Sequence, residues 1–105
     1  MIYEVSYLES AYSDLEDIYR YIANELENPS AAERLIDKIL KTADLLSVFP
    51  YGNPVYHPVR PLKYEYRKAL IDHYSVFYRI EEETKTVLVT RVIYSKRNFG
   101  KLNKL

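Results

Sequence analysis

The sequence predicts an α+β domain in the order β-α-α-β-β-β, an N-terminal helical hairpin packed on an antiparallel sheet. Three observations carry this. Apolar residues recur every three to four positions through residues 11–46, strand-like runs fill 64–94, and four of the five prolines stand between the two halves. A chain of 105 residues has room for one core, so residues 1–105 are read as a single domain.

Residues 2–8, IYEVSYL, read as a short strand. From Ser10 the period lengthens: Ala11, Leu15, Ile18, Ile22 and Leu26 form the apolar stripe of an amphipathic helix, with Glu16, Asp17, Arg20 and Glu25 mostly off it. A second helix begins at Asn28, which suits the N-cap, with Pro29 in the first helical position and Ser30/Glu33 as an alternative capping box. Its stripe is Ala32, Leu35/Ile36, Ile39, Ala43 and Leu46, and the short break after Leu26 implies an antiparallel helical pair. Phe49-Pro50-Tyr51-Gly52-Asn53-Pro54 ends it, and a proline-rich loop, PYGNPVYHPVRPLK (50–63), follows. Long loops in small domains are often binding elements. YEYRKALI (64–71), YSVFYRIE (74–81) and TVLVTRVIY (86–94) are joined by connectors of hairpin length and predict an antiparallel meander. Tyr74, Val76, Tyr78 and Ile80 fall on one face of the middle strand, Ser75, Phe77 and Arg79 on the other. One face is expected to pack on the helices and the other to stay open to solvent or ligand.

The aromatic complement is amphipathic, with 12 tyrosines, 3 phenylalanines and no tryptophan. Cysteine is absent, which excludes a disulfide framework and a thiolate metal site. The first residues lack a basic leader followed by an apolar stretch, and nothing approaches the ~18 apolar residues of a membrane span, so a soluble cytoplasmic protein is expected. Only two glycines, Gly52 and Gly100, occur, so there is no glycine-rich phosphate loop and nucleotide hydrolysis is set aside.

A net charge of zero conceals a split: residues 1–56 hold ten acids against four bases, and residues 57–105 eleven bases against five acids. That asymmetry suggests an anionic partner for the second half, or attraction between the halves across the fold. On the first alternative, the later cations gather on the sheet face that the helices leave bare.

The Ala11…Asp14-Leu15…Ile18…Tyr21-Ile22-Ala23 helix, Asn28-Pro29-Ser30-Ala31-Ala32, Phe49-Pro50-Tyr51-Gly52, Tyr66-Arg67-Lys68, Tyr74-Ser75-Val76-Phe77-Tyr78-Arg79-Ile80 and Val92-Ile93-Tyr94-Ser95-Lys96-Arg97, taken in order, resemble the RelE/ParE superfamily of toxin-antitoxin toxins, also known as plasmid stabilisation proteins. The resemblance implies a compact growth-inhibiting toxin, needing no cofactor, that a cognate antitoxin neutralises. RelE-like members cut messenger RNA in the ribosomal A site; ParE-like members poison DNA gyrase. An antitoxin is expected to cover the sheet edge or the groove beside the helices by strand addition or helix docking. A sheet face rich in Tyr and Phe favours dimers or heterotetramers with it.

Metal-free RNA cleavage needs a base for the 2′-hydroxyl, cations around the phosphorane and an acid for the leaving oxygen. Arg67, Lys68, Arg79, Arg91 and Arg97 come from adjacent strands and their ends, but alternation puts Arg67 and Lys68 on opposite faces. By the resemblance, Lys68 and Arg97 match the basic residues of RelE-type nucleases, with Arg67 as a third candidate to hold the scissile phosphate. The nuclease's central-strand arginine falls at Ser75 and its late tyrosine near Asn103, and the Asn28–Ala32 pattern is closer to ParE. The expected function is therefore ParE-like, acting on a macromolecule such as gyrase, with a RelE-like ribosome-dependent endoribonuclease as the alternative. Arg79, Arg91, Lys96, Tyr94 and Lys101 are the expected target contacts; Tyr56, Tyr64 and Tyr94 could stack on bases. A blander role for Arg67, Lys68 and Arg91 is as solvated residues or partners of Glu65 and Glu81. His57 and His73 have no metal-site spacing, and no metal is expected.

Overall fold

The computed structural model describes residues 2–96. Helix α1, Glu9–Arg20, forms where Ala11, Leu15 and Ile18 line one side; the first two are buried and the third packs against the core. The chain then widens into a single π turn, Tyr21–Glu25, in which the Leu26 N–H donates to the Tyr21 carbonyl at 3.1 Å. The wider turn rotates the apolar stripe away from its 3.6-residue phase. Leu26, expected on the buried side, is consequently 55% exposed.

Glu27 takes a left-handed φ of 50°, and the Asn28 N–H returns to the Ile22 carbonyl at 3.1 Å, closing the first helical segment. Asn28 then opens α2, Pro29–Leu45: its Oδ1 accepts from the Ala31 N–H at 3.2 Å, and Pro29 stands at the start as expected. Ala32, Ile39, Ala43 and Leu46 are all buried, as their spacing predicts.

Four strands follow the order β1-β4-β3-β2, with β1 Glu4–Tyr7, β2 Arg67–Ile71, β3 Tyr74–Glu81 and β4 Thr86–Tyr94. The β2-β3-β4 meander is antiparallel, but β1 joins β4 in parallel, so the sheet is mixed. A meander leaves the outer side of β4 unpaired, and β1 fills it while sending Tyr3, Val5 and Tyr7 to the core. Strand β2 starts three residues later than expected, because the Tyr66 carbonyl turns outward to accept from the Tyr56 N–H at 2.8 Å.

A bulge interrupts β3–β4 pairing: Phe77 lies opposite Arg91 and Tyr78 opposite Val89, which makes Thr90 the extra residue. Its hydroxyl donates to the Phe77 carbonyl at 3.3 Å. The inserted residue shifts the alternation, so Val87, Val89 and Val92 all enter the core under the helices.

The second sheet face is not bare. Ser75, Phe77, Thr90 and Ile93 are buried, and the Tyr56 ring meets Phe77 edge-on at a centroid distance of 5.0 Å. The proline-rich loop folds back to put it there. Tyr78 donates from its hydroxyl to the Pro50 carbonyl at 2.8 Å, and Val55 makes a bridge to Arg67 on the outer edge of β2. Each Å² of Phe77 removed from water contributes about 25 cal/mol, and a face carrying this residue gains by being covered. Among the described residues no helix is long and apolar enough to cross a membrane.

Candidate functional site

The expected basic residues do not share one surface. Lys68 lies opposite Phe77 on the second face, with its Nζ 5.8 Å from the Tyr56 ring centre. Arg67 lies opposite Tyr78 on the helix side, as alternation requires; its Nη1 donates to the Asn53 carbonyl at 2.6 Å, and its guanidinium sits 5.0 Å from the Tyr51 ring centre. The Arg79 guanidinium lies 4.1 Å from the Tyr64 ring centre and pairs with Glu81 at 2.6 Å, leaving the side chain 17% exposed. Arg91 points to α1, where its Nε and Nη2 donate to Asp14 at 2.7 and 3.0 Å. Lys96 is exposed in the turn after β4, and Tyr94 is 39% exposed with its ring against Tyr74. Arg97 and Lys101 lie outside the described residues.

The expectation that the later cations collect on a bare face is thus corrected. Arg91 is met by Asp14, an acid of the first helix, at 2.7 Å. The charge split is in part an attraction between halves. At the centre of the second face stands Ser75, fully buried, with its Oγ 3.2 Å from that of Ser95. Among the described residues no three of His, Asp and Glu come close enough together to hold a metal ion.

Two clusters emerge that sequence reasoning missed. Tyr51, Tyr64, Glu65, Arg67, Arg79 and Ile80 line a hollow of about 140 Å³ at the end of the sheet where β3 outruns β2. The two arginines reach it from opposite faces, which hid their proximity from an argument based on alternation. The loop tyrosine Tyr51 was the available signal, since a long loop carries its aromatic residues wherever it folds back. Beside it, the hydroxyls of Tyr3 and Tyr51 and the Lys85 ammonium all donate to Glu82. The lysine first, then the two hydroxyls, hold the Glu82 carboxyl at about 2. The Glu82 hydrogen bond in turn pushes Tyr51 up to about 12. This cluster pins β1, the loop and the β3–β4 turn together.

The same architecture, a helical pair on a small mixed sheet, occurs in solved chains of toxin-antitoxin systems. The chromosomal ParDE system from P. aeruginosa contains a similar chain at 17% identity and TM-score 0.71, covering 90% of this chain and 98% of that one. The RelBE2 toxin-antitoxin complex from Mycobacterium tuberculosis gives 23% identity and 0.66 over 90% and 92% of the two chains. The archaeal RelE-RelB complex from Pyrococcus horikoshii OT3 gives 17% and 0.61 over 93% and 100%. No curated protein sequence matches. The chain belongs to the family described as the ParE toxin of the type II toxin-antitoxin system parDE, which matches residues 5–99.

Proposed function

We propose that this chain is the ParE-like toxin of a type II system, inhibiting growth by holding a macromolecular target such as DNA gyrase and neutralised by a cognate antitoxin. One arrangement supports binding over cleavage: Lys68 lies on the second face beside Tyr56, while Arg79 is paired with Glu81 and Arg91 with Asp14, so these cations are not gathered at one point. Cleavage would need cations and an acid-base pair to converge on one phosphate. The end of β4 is the target contact in this reading, with exposed Lys96 and Tyr94 leading in sequence into Arg97 and Lys101. Antitoxin neutralisation is supported by the family and by the similar chains, which come from ParDE and RelBE systems. Expression in a bacterial host tests this. Growth arrest with an SOS response and intact messages is expected; codon-positioned cleavage of messages on ribosomes would replace this reading with the nuclease.

A further inference from the structure

The two edges of the sheet are treated differently. Along the start of β2 the proline-rich loop supplies partners: Val55 bridges to Arg67, the Lys68 N–H donates to the Pro54 carbonyl at 3.2 Å, and the Tyr66 carbonyl accepts from the Tyr56 N–H at 2.8 Å. Beside β1 the described residues offer only Ser47, whose carbonyl takes the Tyr3 N–H at 2.8 Å. The Glu4 and Leu8 N–H groups donate to the Lys85 and Val89 carbonyls at 2.8 and 2.9 Å, so by alternation the main-chain groups of Val5 and Tyr7 point away from β4. Their N–H and C=O groups meet no protein partner among the described residues. Helix α1 turns inward over β4, where the Ser10 hydroxyl donates to the Thr90 carbonyl and Asp14 accepts from the Val92 N–H, so it leaves this edge clear. β1 has no proline, lysine or bulge of the kind that blunts an open edge.

We infer that this edge pairs with the same edge of a second copy of the chain, β1 against β1, antiparallel about a two-fold axis at Ser6. Val5 of each copy then stands opposite Tyr7 of the other, each pair exchanging both N–H···O=C bonds. Ser6 faces Ser6 at the centre, where small side chains let the strands close up. The same register sets Glu4 against Leu8 and Tyr3 against Glu9, so no charge directly opposes a like charge. The flanks match as well. Ile2, Val48 and Phe49 are exposed at the start of the edge, where Ser47 holds Tyr3, and Leu8 and Tyr12 are exposed at its end. An antiparallel two-fold brings the start of one strand beside the end of the other, and so covers apolar surface with apolar surface on both sides of the axis. The Ser47 turn closes the edge at Tyr3 and limits pairing to the stretch the two-fold uses. The inference is independent of which macromolecule the toxin attacks.

The test is sedimentation equilibrium of the whole protein and of Ser6→Lys and Ser6→Glu, which place like charges face to face at the axis. The wild type should dimerise with a dissociation constant of about 100 μM, in keeping with a small interface. Each variant alone should associate about tenfold more weakly, and an equimolar mixture should regain at least the wild-type affinity, because lysine then opposes glutamate. Hydrogen exchange gives a reading that needs no variant and decides if either fails to fold. The Val5 and Tyr7 amides should gain protection as concentration rises through the same range, while those of Glu4 and Leu8 are protected throughout. The blocked peptide acetyl-Glu-Val-Ser-Tyr-Leu-amide, a copy of residues 4–8, should compete with dimerisation and its scrambled form should not. Equal competition by both would give the edge to any extended strand and overturn the second copy as its occupant. A monomer at millimolar concentration, unchanged association in both folded variants, no recovery on mixing, or exchange independent of concentration would overturn the inference as well.

Discussion

Asp14 in α1 accepts three hydrogen bonds from one short stretch of β4: Nε and Nη2 of Arg91 at 2.7 and 3.0 Å and the Val92 N–H at 2.9 Å. The pair follows the bulge at Thr90, so it fastens the first helix to the place where the sheet changes phase. With side chains only 14% and 21% exposed, it lies outside the regime of surface pairs that contribute nearly nothing. Asp14→Ala should destabilise by about 3 kcal/mol in urea denaturation, since it removes the acceptor of two guanidinium bonds and of a backbone N–H. Arg91→Gln should cost less, because the Val92 N–H keeps its acceptor.

The Tyr7 hydroxyl is buried and has no hydrogen-bond partner among the described residues. Burial, reinforced by Asp44, pushes its ionisation up to about 12. Tyr7→Phe keeps the ring and its contact with Tyr12, whose centroid is 5.5 Å away, and removes the stranded oxygen. It should raise stability by about 1 kcal/mol, read as a higher denaturation midpoint with an unchanged slope.

Glu82 titrates far below the ordinary 4.5 for a glutamate because Lys85, Tyr51 and Tyr3 favour its charged form. A depressed folded-state value contributes stability above the unfolded value and loses it as pH falls. The stability gap between wild type and Glu82→Gln should therefore be full above about pH 5 and fade as pH falls toward 2. Acid titrations of both proteins followed by circular dichroism check this, and a gap independent of pH would assign the cluster no electrostatic role.

Glu27 holds a left-handed φ of 50° at the helix junction, a conformation in which a side chain is strained. Glu27→Gly should stabilise by about 1 kcal/mol, while Asn28→Ala, which removes the α2 cap, should cost about 1 kcal/mol. Thermal melts of the two single variants should move in opposite directions.

The helices were legible because their apolar spacing and cap residues act within a few positions. The stripe misled at Leu26, where a π turn changes the period without a sequence mark. The placement of β1 was not legible: its parallel pairing with β4 joins residues some eighty positions apart, as in Glu4 with Thr86. Nor was the covered second face, since Tyr56 reaches Phe77 through a loop whose path depends on Tyr78 holding Pro50. For the site, alternation correctly separated Arg67 from Lys68, but it could not show Arg91 being claimed by Asp14 or Arg67 meeting Arg79 at a strand end.

In the reading proposed above, this domain acts by seizing a protein target rather than by cutting RNA. Purified protein added to DNA gyrase in a supercoiling assay tests it most directly: loss of supercoiling with accumulated enzyme-linked DNA breaks is predicted. Unimpaired gyrase, together with cut messages on ribosomes exposed to the same preparation, would contradict it.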